Sequence, residues 1–255
     1  MSNDKLELPV AYKLIEFDSL NCIKSKAAAL ALDGAEEGTL LWAKEQHNGT
    51  GRPDSSWYSK PDDLHCAIIL RPDFAFELYA ELLLVGTISM GNALATHLSP
   101  MTALGYVWPN KITIATHTIA NIWVEYDQKD PAWLSISCSA NILNTPDDLS
   151  IPAISVLEAE GSTDLRSGVL LESFARQFIT LINQWSEEGM ASIVNKWKLR
   201  ADLGDKSTTL YTRQGEYSGT IREITDQGSL EIVNEENENM IFQLSDFIEE
   251  SKNNP

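Results

Sequence analysis

Gln46-His47-Asn48-Gly49-Thr50-Gly51-Arg52, with Trp57-Tyr58-Ser59 shortly after it, is the stretch whose reading decides the fold. It follows Thr39-Leu40-Leu41-Trp42-Ala43, an apolar run with the look of a buried strand. A strand that feeds a glycine-spaced loop brings backbone N–H groups close to a phosphate or carboxylate, because glycine removes the Cβ that would block the approach. Arg52 adds a forked, permanent positive charge suited to an anion. On its own the pattern is also that of an ordinary hairpin-like loop, so the rest of the chain has to decide.

Outward from that loop, the composition sets bounds. The chain has 255 residues, 43% hydrophobic and 22% charged, which is enough apolar material for one large domain with or without a small appendix. Its formal net charge of −18 and pI near 4.5 argue against nucleic acid and anionic membrane surfaces as partners, since both attract through basic surface. A local cluster of positive groups would still admit ATP. No apolar run is read as approaching the roughly 20 residues that span a bilayer, and Met1-Ser2-Asn3-Asp4-Lys5 lacks the shape of a signal peptide, so a cytoplasmic protein is expected. Cys22, Cys66 and Cys138 are scattered and odd in number, as reduced thiols are. The four histidines show no metal-ligand spacing.

The chain order is that of an α+β protein. Leu14–Phe17 reads as a strand, Asp18-Ser19-Leu20-Asn21 as a helix N-cap region, and 24–32 as an alanine-rich helix closed by Gly34. Leu64–Leu70 reads as a buried strand stopped by Arg71-Pro72, and 78–98 as a long helix rich in small residues. Gly105 to Trp108 reads as a strand running into a Pro109-Asn110 turn, and 119–126 and 133–142 as a strand pair. Residues 146–160 look irregular, 170–185 and 190–199 helical. After Gly204 come short strands with turn signals, which predict a small barrel. The expected division is 1–205 and 206–255.

That order of landmarks resembles the biotin protein ligases, of the biotin/lipoate A/B protein ligase family, over nearly the whole chain. Asp18-Ser19-Leu20-Asn21 is similar to the family's Asp-Ser-Thr-Asn. The loop from Glu45-Gln46 through Arg52 to Trp57 is similar to its Gln-x-x-Gly-Arg-Gly-Arg-x-Gly-Arg-x-Trp. Trp108-Pro109-Asn110 matches the middle of Lys-Trp-Pro-Asn-Asp, and Thr118 to Glu125 resembles Lys-x-x-Gly-Ile-Leu-x-Glu. Ser137-Cys138-Ser139-Ala140-Asn141 stands where Gly-x-Gly-x-Asn is expected, and residues 171–173 and 182–189 resemble a divergent bacterial branch of unassigned function.

The resemblance implies a mixed, mostly antiparallel sheet flanked by helices, followed by a small SH3-like β-barrel. It implies a reaction in which a carboxylic acid such as biotin attacks the α-phosphate of ATP, with Mg2+, giving an acyl-adenylate that a lysine of a biotinyl or lipoyl carrier protein then takes up. By resemblance, Ser19, Leu20, Asn21 and Gln46 line the biotin ring. Gly49, Thr50 and Gly51 close over the ligand, Trp57 walls it, and Asn121 lies beneath it. Arg52 addresses the carboxylate or phosphate, and Trp108 and Asn110 flank the nucleotide. A homodimer is a further implication.

The departures fall on the phosphate side. Thr118 occupies the place of the motif lysine, Thr50 that of the first loop arginine, Asp54-Ser55 that of a Gly-Arg, and Asn121 that of a glycine. Val107 and Lys111 replace the residues flanking Trp-Pro-Asn; Lys111, taken as one turn from Asn110, is the one replacement cation. Losing one donor to a transition state typically costs about 10²–10³ in rate. The expectation is therefore a weak ligase for biotin or a related acid, and the alternative a non-catalytic relative that binds a small acid or a carrier protein. A Cys138-dependent acyl transferase is the least supported reading, and His65 beside Cys66 makes no dyad because strand neighbours point to opposite faces. Glu125 reads as a strand-edge charge.

Overall fold

The computed structural model describes residues 6–50, 56–57, 60–129, 132–145, 152–201, 203, 207–212 and 214–251, with 50, 56 and 57 by backbone alone. The expected sites Gly51 and Arg52 lie outside the described residues, as do the side chains of Thr50 and Trp57. In chain order the elements are β1 (Lys13–Phe17), α1 (Ile23–Leu32), β2 (Thr39–Ala43), the two-residue strands β3 (Gly49–Thr50) and β4 (Ser56–Trp57), and β5 (Leu64–Leu70). A 3-10 segment (Phe76–Glu81) runs into α2 (Leu82–Ala95), followed by β6 (Leu104–Val107), β7 (Lys111–Ile114), β8 (His117–Asp127) and β9 (Trp133–Ala140). Then come α3 (Val156–Glu160), α4 (Ser167–Glu188), α5 (Met190–Lys198), β10 (Ser207–Thr212), β11 (Gly215–Ile224), β12 (Leu230–Val233), β13 (Asn239–Phe242), a 3-10 turn (Leu244–Phe247) and β14 (Glu249–Glu250).

The main sheet has the order β1-β2-β5-β9-β8-β7-β6, with β14 alongside β8. It is antiparallel except for β1 on β2 and β14 on β8. The α+β class and the mostly antiparallel sheet are as expected. One face, bearing Leu40, Cys66, Ile68, Ile122, Ile136 and Cys138, packs on α2 and α4 in the larger core. The opposite face carries Leu41, Ala43, Ala67, Ile69 and Trp133 under α1, which offers Ile23, Ala27, Ala28 and Ala31. Alanines on that helix let it lie close to the strands.

Several expectations are corrected. Phe76–Ala95 is long and apolar enough to cross a membrane, contrary to the sequence reading, and it is largely buried inside the fold against the sheet and α4. The region read as irregular contains α3, opened by Ser155, whose Oγ accepts from the Glu158 N–H, and closed by Gly161 at φ 74°. Strand β7 was not foreseen. Glu125 is no strand-edge charge, since β9 and β14 flank it. Nor do the polar residues 18–21 cap α1. Its N-cap is Cys22, whose side chain makes no capping bond, and both helix ends are held from a distance: Gln46 Oε1 accepts from the Ile23 N–H at 3.1 Å, and Arg71 donates to the carbonyls of Ala31 and Ala35 at 2.6 and 2.8 Å.

Strands β10 to β13 form a separate four-stranded antiparallel meander. Its apolar residues Leu210, Ile224, Leu230, Ile232 and Phe242 continue the larger core. Trp108 is the bolt: its indole N–H donates to the Gly228 carbonyl at 2.8 Å and its ring meets Phe247 edge-on at 4.8 Å.

Packing of α2 against β6 relies on a missing side chain. A Cβ at Gly91 would sit 2.2 Å from the Tyr106 hydroxyl and 2.4 Å from its ring. Tyr106 is buried and sealed behind Trp197, so it has little room to retreat. Gly91→Ala is expected to lose about 1–3 kcal/mol by overpacking despite the gain in helix propensity. An unchanged urea midpoint would show that the tyrosine side moves freely.

Candidate functional site

The parity of five neighbouring strands puts one row of side chains on the α1 face of the sheet. Residues 43, 65, 139, 121 and 111 are successive register partners across β2, β5, β9, β8 and β7, which gives the row Ala43, His65, Ser139, Asn121 and Lys111. The next row toward β9's start holds Ala67, Ser137 and Trp123, and the one after it Ile69, Ser135 and Glu125. Lys111 therefore opens β7 opposite Asn121, and is not one turn beyond Asn110. Asn110 itself donates from Nδ2 to the Ile122 carbonyl at 2.7 Å, tying the turn to β8.

Above the row, the loop after β2 is stitched to the chain before α1. Leu20 bridges Gln46 in parallel, the His47 N–H donates to the Leu20 carbonyl at 2.9 Å, and the Asn48 side chain donates to Asn21 Oδ1 at 2.5 Å. This stitching drives Gln46 inward until it is 2% exposed. With Oε1 committed to Ile23, its Nε2 faces His65 Nδ1 at 3.1 Å and Ser139 Oγ at 3.5 Å, while Ser139 Oγ lies 3.0 Å from the same His65 nitrogen. An amide NH2 can only donate, so the Gln46 contact is a hydrogen bond when His65 Nδ1 is bare and the ring proton is on Nε2, whereas a proton on Nδ1 would be directed at Ser139 Oγ. Burial holds this imidazole neutral, with its pKa pushed down to about 3.

The same face carries buried polar atoms with no partner among the described residues: His65 Nε2, Asn121 Oδ1, Ser135 Oγ, Ser137 Oγ and, among apolar neighbours under α1, Trp133 Nε1. Buried polar groups are as a rule paired, and leaving one unpaired costs about 1–3 kcal/mol. The four on His65, Asn121, Ser135 and Ser137 sit on three adjacent strands and mark a surface shaped for something else to pair with.

Charge lies at its edge. Lys24 Nζ, on α1, is buried, 2.9 Å from Glu249 of β14 and 5.8 Å over the Trp123 ring. Glu125 is pushed up by burial and drawn back down by Lys24. Among the described residues no three His, Cys, Asp or Glu side chains converge as metal ligands would.

The structure thus brings Leu20, Gln46, Gly49, Asn121 and Lys111 around one face, with Ser19 and Asn21 exposed at its rim. It sets Asn110 in the turn before β7, tied to β8, and two others elsewhere. Trp108 is enclosed at the meander, and Thr118 is buried beyond a bulge in β8, bridged to Ala153 with its N–H and carbonyl bonded to residues 152 and 154. Sequence reasoning missed His65, Ser135 and Ser137 as site residues. Their signal was present in Ser135-Ile136-Ser137-Cys138-Ser139, where small polar residues alternate in a strand too apolar to have a wet face. On the opposite face Cys66 and Cys138 are register partners within the core, and burial raises the Cys138 thiol pKa.

The family model described as the biotin/lipoate A/B protein ligase family matches residues 8–199, well over half of the chain. The chain belongs to the biotin/lipoate A/B protein ligase family. Among its relatives is a biotin–[acetyl-CoA-carboxylase] ligase of Paracoccus denitrificans, 25% identical over 224 residues that cover 85% of this chain and 91% of that protein. The bifunctional ligase/repressor BirA of Bacillus subtilis is 26% identical, over 85% of this chain and 68% of its own length. Among solved structures, a biotin protein ligase-like protein of unknown function from Silicibacter sp. TM1040 superposes with TM-score 0.76 at 20% identity, covering 96% of this chain and 99% of that one. The Aquifex aeolicus biotin protein ligase, solved with biotin and ATP, superposes with TM-score 0.73 at 20% identity over 90% and 98%. These likenesses establish the fold that the family member adopts.

Proposed function

We propose that this family member binds a biotin-like acid on the α1 face of the sheet and activates it slowly with ATP for transfer to a carrier-protein lysine. The observation that carries the reading is the row His65, Ser139, Asn121 and Lys111, capped by Gln46, in which neutral polar atoms await a ligand and a lysine stands at one end. In the first half-reaction the acid's carboxylate oxygen attacks the α-phosphorus and pyrophosphate leaves. In the second, the acceptor amine displaces AMP. Both build charge on phosphate oxygens, so cations decide the rate. Lys111 is the described cation closest in register to the polar row; Arg52 is the second we assign. Mg2+ would enter with the nucleotide's phosphates. We assign residues 1–205 to this chemistry, and 206–255 to the family's small barrel, a role that the four-stranded meander is compatible with.

A second reading, a binder without catalysis, is favoured by Thr118. It holds the motif lysine's place with a neutral side chain whose backbone is locked to residues 152–154.

ATP–pyrophosphate exchange with biotin, lipoate and octanoate separates the two. Exchange above a no-acid blank supports the ligase and names the acid. Its absence from folded protein that still binds one of the acids supports the binder. If exchange occurs, Lys111→Ala is expected to lower its rate about 10²-fold with a smaller change in acid affinity; an unchanged rate would remove Lys111 from the chemistry.

A further inference from the structure

We propose that His65 is the specificity-determining donor of this pocket: its Nε2–H reads a carbonyl oxygen on the ligand's head, with Asn121 Oδ1 taking an adjacent N–H, so that the site selects acids bearing a neutral cyclic urea or amide over acids with a purely apolar or sulfur-containing head. The inference rests on the acid-binding reading above and adds to it the residue that does the selecting.

Three observations carry it. The first is the proton's location. Gln46 cannot turn its amide over without leaving the Ile23 N–H facing an NH2 group, so Gln46 Nε2 points at His65 Nδ1, and we assign the imidazole proton to Nε2, the tautomer in which that 3.1 Å contact is a hydrogen bond. The second is that this N–H is fully buried and lacks an acceptor among the described residues, and His65 is 0% exposed. The third is the neighbourhood. Two positions across in the same row, Asn121 presents an unpartnered buried carbonyl, and the Ser137 hydroxyl next to that row is unpartnered too. One fixed donor, one fixed acceptor and a rotatable hydroxyl match a group that itself offers C=O beside N–H. They do not match an octanoyl chain or a dithiolane, whose burial there would leave every one of these atoms unpaired.

Lys24, the buried cation on α1, is already matched by Glu249, and Lys111 stands at the far end of the row, so the stretch from His65 through Ser139 to Asn121 carries no charge and suits a neutral head. His65 is a binding residue here, not a proton carrier. With its ring proton locked and its charge suppressed by burial, it has no role for general acid–base transfer near neutral pH.

The test is calorimetric titration of the full chain at pH 7.5 with biotin, lipoate and octanoate, using wild type, His65→Phe, His65→Gln and Asn121→Ala. The wild type is expected to prefer biotin. His65→Phe should weaken biotin by about 10- to 100-fold, the effect of leaving one buried partner unpaired, while lipoate and octanoate change by less than about threefold. His65→Gln can place an N–H near the same point and should recover part of the biotin affinity. Should His65→Phe fail to fold, Asn121→Ala at the rim of the row should show the same selective loss. Equal weakening of all three acids in both variants would make His65 structural only and overturn the proposal, as would a wild-type preference for octanoate or lipoate. Selective biotin loss in a protein that shows no ATP–pyrophosphate exchange would sink the ligase reading and leave this one standing. Exchange with biotin that is indifferent to His65 and Asn121 would do the reverse, and binding of none of the acids would sink both.

Discussion

Acidification from pH 7 to pH 4 is expected to remove on the order of 3 kcal/mol of stability through His65 alone, with about 2 kcal/mol of it gone by pH 5. The sign follows from the direction of the shift. The folded imidazole has its pKa depressed to about 3 from 6.5, because burial excludes the charged form. Between those values the unfolded chain takes up a proton that the fold refuses, so stability is complete above pH 6.5 and falls as pH drops toward 3. Asp63 and Glu125 work in the opposite sense: burial raises both, so their acid forms favour the fold. The clean readout is therefore a difference. Urea midpoints of wild type and His65→Phe, followed from pH 7 to pH 4, should converge as the pH falls, because only the wild type loses the His65 contribution. Parallel curves would mean that His65 is solvated or charged in the folded protein, and the neutral polar row would have to be abandoned.

What was legible in advance follows a physical divide. Strands β1, β2, β5, β8 and β9 and helices α1, α4 and α5 announced themselves because period and apolar content are local properties, and the ordered motifs then identified the family. The caps of α1 were not legible. Gln46 and Arg71 reach it from the segments that follow β2 and β5, and nothing in the neighbourhood of Cys22 or Leu32 points to them. Lys111 was misplaced for the same reason: four residues from 111 to 114 are too short to show a period, and only pairing with β8 makes them a strand. The candidate site was half legible. Gln46 and Asn121, and more weakly Ser137 and Ser139, stand at motif positions, whereas His65 and Ser135 join them only when register lays β5, β9 and β8 side by side. The apolar segment 76–95 shows where composition stops deciding, since a helix buried in a protein core and one surrounded by lipid draw on the same residues.

Gln46 is where these threads meet, and Gln46→Ala should have the largest functional effect of any single change. Two buried groups lose their partners at once: the Ile23 N–H at the start of α1 and the bare Nδ1 of His65. At about 1–3 kcal/mol each, a stability loss of roughly 2–6 kcal/mol is expected. Acid binding should fall by about two orders of magnitude or more, since the freed imidazole can exchange its tautomer and α1 loses its anchor over the site. Gln46→Glu separates the two roles. A carboxylate keeps the acceptor for Ile23 and almost the same shape, but an ionised one cannot donate to Nδ1. The proton then moves to Nδ1 to face the new oxygen, and Nε2 turns from donor to acceptor toward the pocket. This variant should hold α1 and yet lose its preference for a carbonyl-bearing head. Imidazole 15N shifts would report the tautomer directly, alongside the biotin affinity. A Gln46→Glu protein that keeps the Nε2–H tautomer and binds biotin as the wild type does would show that Gln46 serves the helix alone, and that the proton on His65 is set by Ser139.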